Sequence, residues 1–144
     1  MKIKVSNWSM VILLLSVMLL SCSKGTETPP PPAGPDTSLQ GYLDIVTYEK
    51  NHFYATGWAA DKEDNAPVKK VMVYLDGKLL GEAELGKERE DVAKVTQNSN
   101  WVKSGWVINR KITLDKGAHT VYAVGVNKHG ARVKLTNEKN FTVQ

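Results

Sequence analysis

The stretch Val71–Leu85, VMVYLDGKLLGEAEL, predicts a β-hairpin. Asp76-Gly77 stands between two runs of alternating apolar residues. Both central positions of a type I′ turn need a positive φ angle, which Asp and Gly adopt at little cost. We therefore expect one strand over Val71–Leu75 and a returning strand over Leu79–Leu85.

Period-two alternation of apolar and polar residues continues on both sides of this hairpin, with turn residues between the segments. Further strands are predicted over Tyr42–Tyr48, Phe53–Ala60, Ser104–Leu114, His119–Asn127, Arg132–Thr136 and Phe141–Val143. From these eight ranges we expect about seven strands in the fold, a number and spacing typical of an all-β sandwich of immunoglobulin-like type. The one helix predicted is Glu88–Val95, with Asp91 as a capping residue.

Several short motifs occur in an order that resembles a bacterial Ig-like module found on secreted and cell-surface proteins. The module reads GWA-x-D, V-x-V-x-x-DG, R-P-D-V, H-G-F and G-x-H-x-V. The matching segments are Gly57–Asp61, Val71–Gly77, Arg89–Ala93, Gly105-Trp106 and Gly117–Val121. Glu90 replaces the proline of the module, and Ser104-Gly105-Trp106 replaces His-Gly-Phe. The resemblance implies a β-sandwich and a role at the cell surface, and it implies no reaction.

The amino-terminal 21 residues have the organisation of a signal peptide. Lys2 and Lys4 precede the apolar run Met10–Leu20, which is too short to span a bilayer as a helix. Leu19-Leu20-Ser21-Cys22 follows at once, and it resembles the lipobox of bacterial lipoproteins. In that family the peptide is cut before the cysteine, whose thiol and new amino group are acylated. The resemblance implies lipidation of Cys22, and Ser23 in the next position points to the outer membrane.

Residues 22–38 form a predicted tether that separates the lipidated cysteine from the folded domain, Leu39–Gln144. Five of the six prolines of the chain lie in it, four of them in a row at Pro29–Pro32. Such a segment lacks apolar residues to bury, and its prolines favour an extended polyproline II spacer. A tether of this kind implies that the domain works at a distance from the membrane surface.

Composition and motifs exclude several classes of function. The net charge of +4 is spread without a basic stripe that alternates with aromatic residues, so we expect no nucleic-acid partner. The single cysteine excludes a disulfide within the chain. No nucleophile elbow, phosphate-binding loop or zinc-binding helix motif occurs. We therefore expect neither catalysis nor a cofactor.

Two groups of carboxylates have alternative interpretations. Glu82 and Glu84 share one face of the predicted returning strand, where we interpret their charge as a protection against edge-to-edge pairing. Asp61, Glu63 and Asp64 lie in one loop and offer oxygen ligands for calcium. The glycine and distal glutamate of an EF-hand are missing, and a solvated turn before Pro67 is the favoured alternative.

The aromatic residues are the candidates for ligand binding. Tyr54 and Trp58 lie on the face of their strand opposite to Phe53, so they point outward. They either stack on a ligand or are covered by the long connection Gly86–Ser104, which is the favoured alternative. Trp101 lies near Asn98 and Asn100 in a polar stretch typical of glycan-binding surfaces, although it could also fold back onto the sandwich.

These observations favour a recognition module over an enzyme. The first expectation is an outer-membrane lipoprotein, anchored through Cys22, that presents an Ig-like domain for adhesion or for recognition of a glycan or a protein. The alternative is a structural accessory subunit that docks onto a larger envelope complex through an exposed strand edge.

Overall fold

The computed structural model describes residues Ser38–Gln144, which form two antiparallel β-sheets packed face to face. The predicted signal peptide, the lipidation site Cys22 and the tether up to residue 37 lie outside the described residues. The predicted all-β sandwich is confirmed. The described residues form ten strands, however, and not about seven.

The bounds of the elements follow the turn residues. The strands are β1 (Leu39–Glu49), β2 (His52–Asp61), β3 (Ala66–Pro67), β4 (Lys70–Leu75), β5 (Lys78–Glu82), β6 (Glu84–Lys87), β7 (Gly105–Lys111), β8 (Gly117–Val126), β9 (Arg132–Lys134) and β10 (Lys139–Val143). The first sheet has the strand order β1-β2-β7-β6, with β3 also paired to β2. The second sheet has the order β10-β8-β4-β5, with β9 also paired to β8.

The predicted hairpin turn is confirmed. Leu75 pairs with Lys78, and the two residues between them have positive φ angles of 50° at Asp76 and 76° at Gly77. Positive φ at both central positions is the signature of the type I′ turn that an Asp-Gly pair favours.

The predicted single returning strand Leu79–Leu85 is wrong, because the chain crosses between the sheets at Ala83. This small residue is buried, and its N–H donates to the carbonyl of Val71 at 2.8 Å. Glu82 therefore ends β5 in the second sheet, and Glu84 begins β6 in the first. The two carboxylates do not share one strand face.

The core lies between the two sheets and is built from the inward-facing residues of both. It contains Leu39, Leu43, Phe53, Ala55, Ala59, Val68, Val71, Val73, Leu75, Ala83, Trp106, Ile108, Val121, Ala123 and Leu135. Trp106 is fully buried, as its strand position predicts, and it packs over Gly57. A Cβ atom at Gly57 would lie 1.9 Å from the carbonyl oxygen of Tyr42 and 2.7 Å from the Trp106 ring. Glycine is therefore required there by close packing.

The connection between β6 and β7 contains a helix α1 (Glu90–Thr96) and a 3₁₀ turn (Ser99–Trp101). The helix begins two residues later than predicted. Its N-cap residue is Arg89, without a side-chain capping bond, so the prediction of Asp91 as the cap is wrong. No helix within residues 38–144 is long and apolar enough to cross a membrane.

His119 joins β8 to the type I′ hairpin. Its Nδ1 lies 2.7 Å from Asp76 Oδ2, and its Nε2 lies 2.9 Å from the carbonyl oxygen of Asp115. The second oxygen of Asp76 accepts the N–H of Thr120 at 2.9 Å. Since both ring nitrogens face acceptors, the imidazolium is favoured, and the pKa of His119 is raised by the Asp115 carbonyl and the Asp76 carboxylate. The histidine of G-x-H-x-V thus has a structural role.

Candidate functional site

The outer face of the first sheet carries the outward-facing aromatic residues. Phe53, Ala55 and Ala59 of β2 are buried in the core. Strand alternation therefore directs Tyr54 and Trp58 to the opposite face, as predicted. The connection between β6 and β7 then divides this face into a covered part around Trp58 and an open part around Tyr54.

The covered part is a second, small core. It consists of Trp58, Ala60, Val92 and Trp101. The ring centroids of Trp58 and Trp101 are 6.2 Å apart, and Tyr42 of β1 stacks on Trp58 at 5.6 Å. The favoured expectation that the connection covers Trp58 is confirmed.

Trp101 is placed by the same packing. Its side chain folds back onto the sandwich, and the residue is only 4% exposed. A sugar ring that stacks on an indole needs one free ring face, which this position does not offer. The geometry therefore disagrees with a ligand contact at Trp101 and gives the residue a role in packing.

Arg89 holds the connection against the sheet. Its Nε and Nη2 donate to the two carboxylate oxygens of Asp91 at 2.8 and 2.7 Å, and its Nη1 donates to Asp44 of β1 at 2.7 Å. The bond to Asp91 is the main reason that the pKa of Arg89 is raised, and it lowers the pKa of Asp91 to about 2. The Arg-x-Asp motif therefore works here with Glu90 in place of proline.

Of the two predicted asparagines, Asn98 holds two loops together. Asn98 donates its Nδ2 to Asn65 at 2.6 Å, and its Oδ1 accepts the N–H of Asn100 at 3.1 Å. These bonds fix the 3₁₀ turn that carries Trp101. Asn100 is exposed, but the tryptophan beside it is turned inward, so the structure does not bring the amides and an open indole face together.

The carboxylate of Asp61, the first member of the predicted calcium loop, is occupied by protein donors. Its Oδ1 accepts the N–H groups of Glu63 and Asp64 at 2.8 and 3.3 Å, and its Oδ2 accepts Asn127 Nδ2 at 2.8 Å. Burial raises the pKa of Asp61, but the bonds from Asn127 and the two N–H groups outweigh burial and lower it.

Asp64 is likewise engaged, with Lys128 Nζ at 2.6 Å and His129 Nε2 at 3.3 Å. These contacts tie the loop after β2 to the loop after β8. Among residues 38–144, no group of three or more histidine, cysteine or acidic side chains is placed to hold a metal ion. The loop therefore connects the first sheet to the second through these side-chain contacts.

The open part of the face begins after Asp44, the residue of β1 that Arg89 contacts, and we call it the open face. Its outward residues are Ile45, Thr47, Tyr54, Thr56, Val107 and Asn109. Tyr54 sits in its middle, paired with Thr47 on one side and Asn109 on the other. Tyr54 is 36% exposed and Ile45 is 50% exposed, so the predicted position Tyr54 does reach solvent.

Sequence reasoning missed Ile45 and Asn109 as neighbours of Tyr54. A bulge between Leu43 and Ile45 shifts the register of β1, and it turns Ile45 outward beside Thr56. Simple alternation through Tyr42–Tyr48 assigns Ile45 to the inner face. The pairing of Asn109 depends on the register of β7 beside β2, which no local pattern encodes.

Comparison with solved structures finds chains that align with most of this one. The fibronectin(III)-like modules of Clostridium thermocellum CbhA align with 74% of this chain and 95% of theirs, at 14% identity and a TM-score of 0.42. A family 28 exopolygalacturonase of Yersinia enterocolitica aligns with 74% of this chain and 20% of its own, at 16% identity and a TM-score of 0.41. No family model and no curated protein matches the chain.

Proposed function

We propose that this chain is a non-catalytic lipoprotein of the bacterial outer membrane whose Ig-like domain recognises a glycan through the open face. The observation that carries the proposal is the exposed Tyr54 ring, set between the hydroxyl of Thr47 and the amide of Asn109 on neighbouring strands. The lipobox at Cys22 and the proline-rich tether support placement of this domain outside the membrane surface.

The chemistry of the open face fits a carbohydrate. Aromatic side chains pack against the apolar faces of sugar rings, and hydroxyl and amide groups exchange hydrogen bonds with sugar hydroxyls. Thr47 and Asn109 are both exposed and flank Tyr54 in one cross-strand row. A sheet face also presents its side chains in one plane, which suits an extended polysaccharide lying across the strands.

The binding test uses the full chain in a non-ionic detergent without a sugar headgroup, screened on a glycan array. Tyr54→Ala is expected to lose the glycan hit while it keeps a melting temperature close to that of the unchanged chain. Val95→Ala is the control, since Val95 is 86% exposed on α1, away from the open face. A hit that survives in Tyr54→Ala would refute the assignment of the open face.

The anchoring test uses metabolic labelling with an alkynyl palmitate. The chain should carry the label and fractionate with outer membranes, whereas Cys22→Ala should lose both. Label retained in Cys22→Ala would overturn lipidation at this position.

The second candidate function is that of a structural accessory subunit, and it is favoured by the outer edge of β1. In the described chain the segment around Thr136 pairs with this edge at Gly41 and Leu43 only, through two backbone bonds of 2.9 Å. The rest of β1 has no strand partner on that side among residues 38–144. A partner could add a strand there. One stoichiometric envelope protein that co-purifies with the full chain, and still does so with Tyr54→Ala, would favour this function.

A further inference from the structure

The turn between β1 and β2 holds a lysine in a strained backbone conformation. The sequences of tight hairpins usually avoid lysine at such a position. Lys50 and Asn51 are its two central residues, with φ angles of 49° and 64°. This is type I′ geometry, for which Asn-Gly or Asp-Gly is the favoured pair. A lysine in the left-handed region costs stability, and strain of this kind is often kept where a side chain has a function.

The strained turn forms one wall of a groove at the end of the sandwich far from Ser38. Leu39 and Glu49 are the two ends of β1, so the groove lies about 33 Å along the strand from the start of the domain. The groove has a volume of about 520 Å³, within the range of small-ligand sites. It is lined by Tyr48, Lys50, Asn51, Leu114, Lys116, Thr142, Val143 and Gln144.

The hydroxyl group of Tyr48 holds the floor of this groove in place through hydrogen bonds to three residues. Tyr48 Oη accepts the N–H of Leu114 at 3.1 Å and shares its proton between the carbonyl of Ile112 at 3.2 Å and Asn51 Oδ1 at 3.0 Å. The bond from Tyr48 to Asn51 Oδ1 thereby fixes the orientation of the Asn51 side chain. Its amide NH₂ has no protein acceptor among the described residues and is free to donate to a ligand.

The groove offers hydrogen-bond donors and positive charge. Lys50 and Lys116 come from two different loops, and neither makes an ion pair within residues 38–144. No acidic side chain lines the groove, and the carboxylate of Gln144 at the end of the described chain makes no ion pair with Lys50 or Lys116. Tyr48, Leu114 and Val143 supply an apolar wall. Two unpaired ammonium groups beside an apolar wall suit a ligand that carries an anionic group on a ring.

We propose that this groove is a binding site for an anionic saccharide unit, whose carboxylate or phosphate is held by Lys50, Lys116 and the amide of Asn51. The site is separate from the open face, so it goes beyond the function proposed above and does not depend on Tyr54. A tethered domain would present the groove at the end away from its attachment.

The test measures binding of the full chain, in the same detergent, to three polymers with one backbone. Carboxymethyl dextran and dextran phosphate carry the two candidate anionic groups, and plain dextran carries none. We expect binding to at least one charged polymer and none to plain dextran. The charged polymer that binds more tightly identifies the group that the groove prefers.

The decisive variant combines Lys50→Asn with Asn51→Gly, which installs the favoured type I′ pair. We expect the melting temperature to be kept or raised by up to about 4 °C, because the strain is relieved. We expect binding to weaken by more than about fivefold, because fivefold is the effect of one charge contact at the upper end of the usual surface range and the variant also removes the Asn51 amide. Stability and binding thus change independently, and misfolding cannot explain the loss.

Lys116→Gln removes one charge contact and is expected to weaken binding by about fivefold, and Lys62→Gln is the control. Lys62 is exposed, makes no ion pair in the described chain and lies in the loop next to Asp61, at the other end of the sandwich. Equal weakening by Lys62→Gln would show a diffuse effect of net charge and overturn the site. Absence of binding to both charged polymers would overturn it as well. Tyr54→Ala should leave this binding unchanged, which separates failure here from failure of the open face.

Discussion

Replacing Trp101 by alanine separates the two possible roles of the connection between β6 and β7. If Trp101 is a ligand contact, the variant loses ligand and keeps its stability. If it is a member of the second core, the variant loses stability. The structure predicts the second result, because the residue is 4% exposed and packs on Trp58.

The expected loss follows from the buried area. A tryptophan side chain buries about 200 Å², and at about 25 cal/mol per Å² its removal costs about 5 kcal/mol. Measured Trp→Ala changes in cores cost about 3–5 kcal/mol, in agreement with this figure. For a domain of about 100 residues, each kcal/mol lowers the melting temperature by about 4–8 °C, so a fall of about 12 °C or more is expected.

Trp101→Phe refines this prediction. Trp101 Nε1 is buried with no hydrogen-bond partner in the described chain, and such a donor costs about 1–3 kcal/mol. Phenylalanine removes the unpaired N–H and keeps most of the ring. We therefore expect a loss below about 2 kcal/mol, well under that of the alanine variant.

Thermal and denaturant unfolding, followed by circular dichroism, measure these differences. Val95→Ala, in the same connection but 86% exposed, should change the free energy of unfolding by less than about 0.5 kcal/mol. Hydrogen exchange adds a local readout, since the N–H of Ser104 donates to the Trp101 carbonyl at 3.0 Å and should exchange faster in Trp101→Ala. An alanine variant with unchanged melting temperature and unchanged exchange would refute the packing role.

Two further predictions concern the main core and the hairpin. Gly57→Ala should lower the free energy of unfolding by at least about 2 kcal/mol in denaturant titrations, because its Cβ would lie 1.9 Å from the Tyr42 carbonyl oxygen; a neutral effect would contradict this packing. The pKa of His119 is raised by the Asp115 carbonyl and by Asp76, so these two bonds contribute stability fully below a pH of about 6.5, and this contribution is lost as the pH rises through the raised pKa. The melting temperature of the chain should therefore fall over that range more than that of His119→Gln, and parallel pH profiles would argue against the assignment.

The elements of this fold that are encoded locally were predictable. Asp76-Gly77 specifies its turn through the φ angles of two residues, and alternation around Phe53 separates an inner from an outer face. The crossing at Ala83 was not predictable in this way, because Leu79–Leu85 keeps a strand pattern while the chain moves from one sheet to the other. The turn at Lys50-Asn51 lacks glycine, so no local signal in the sequence marks its type I′ geometry.

The candidate site also combines features that local sequence predicts with features that depend on distant contacts. Outward orientation of Tyr54 follows from alternation, whereas its neighbours Ile45 and Asn109 depend on a bulge and on the register between strands. Burial of Trp101 depends on the path of the whole connection, which Arg89 fixes by contacts with Asp91 and with the distant Asp44. A polar flanking sequence is therefore compatible with a buried tryptophan.

The motif residues explain why the resemblance to an Ig-like module indicates a fold and not a ligand. Gly57 leaves room for the Trp106 ring, and Trp58 packs in the second core. Asp61 accepts hydrogen bonds from donors in two loops. His119 holds the hairpin turn. Each of these residues is engaged in packing or hydrogen bonding within the domain, so none is free to select a ligand.

Under the proposed function, the positions that determine the ligand lie outside the motifs, among exposed side chains that the fold does not need. Tyr54 on the open face meets this condition, and so do Lys50 and Lys116 at the groove. Lys50 meets it most strongly, because asparagine in its place, followed by glycine, would suit the turn better. The positive φ angle at Lys50 therefore lowers the stability of the fold without a packing contact that offsets the loss. The proposed ligand contact supplies a physical reason for a lysine at this position.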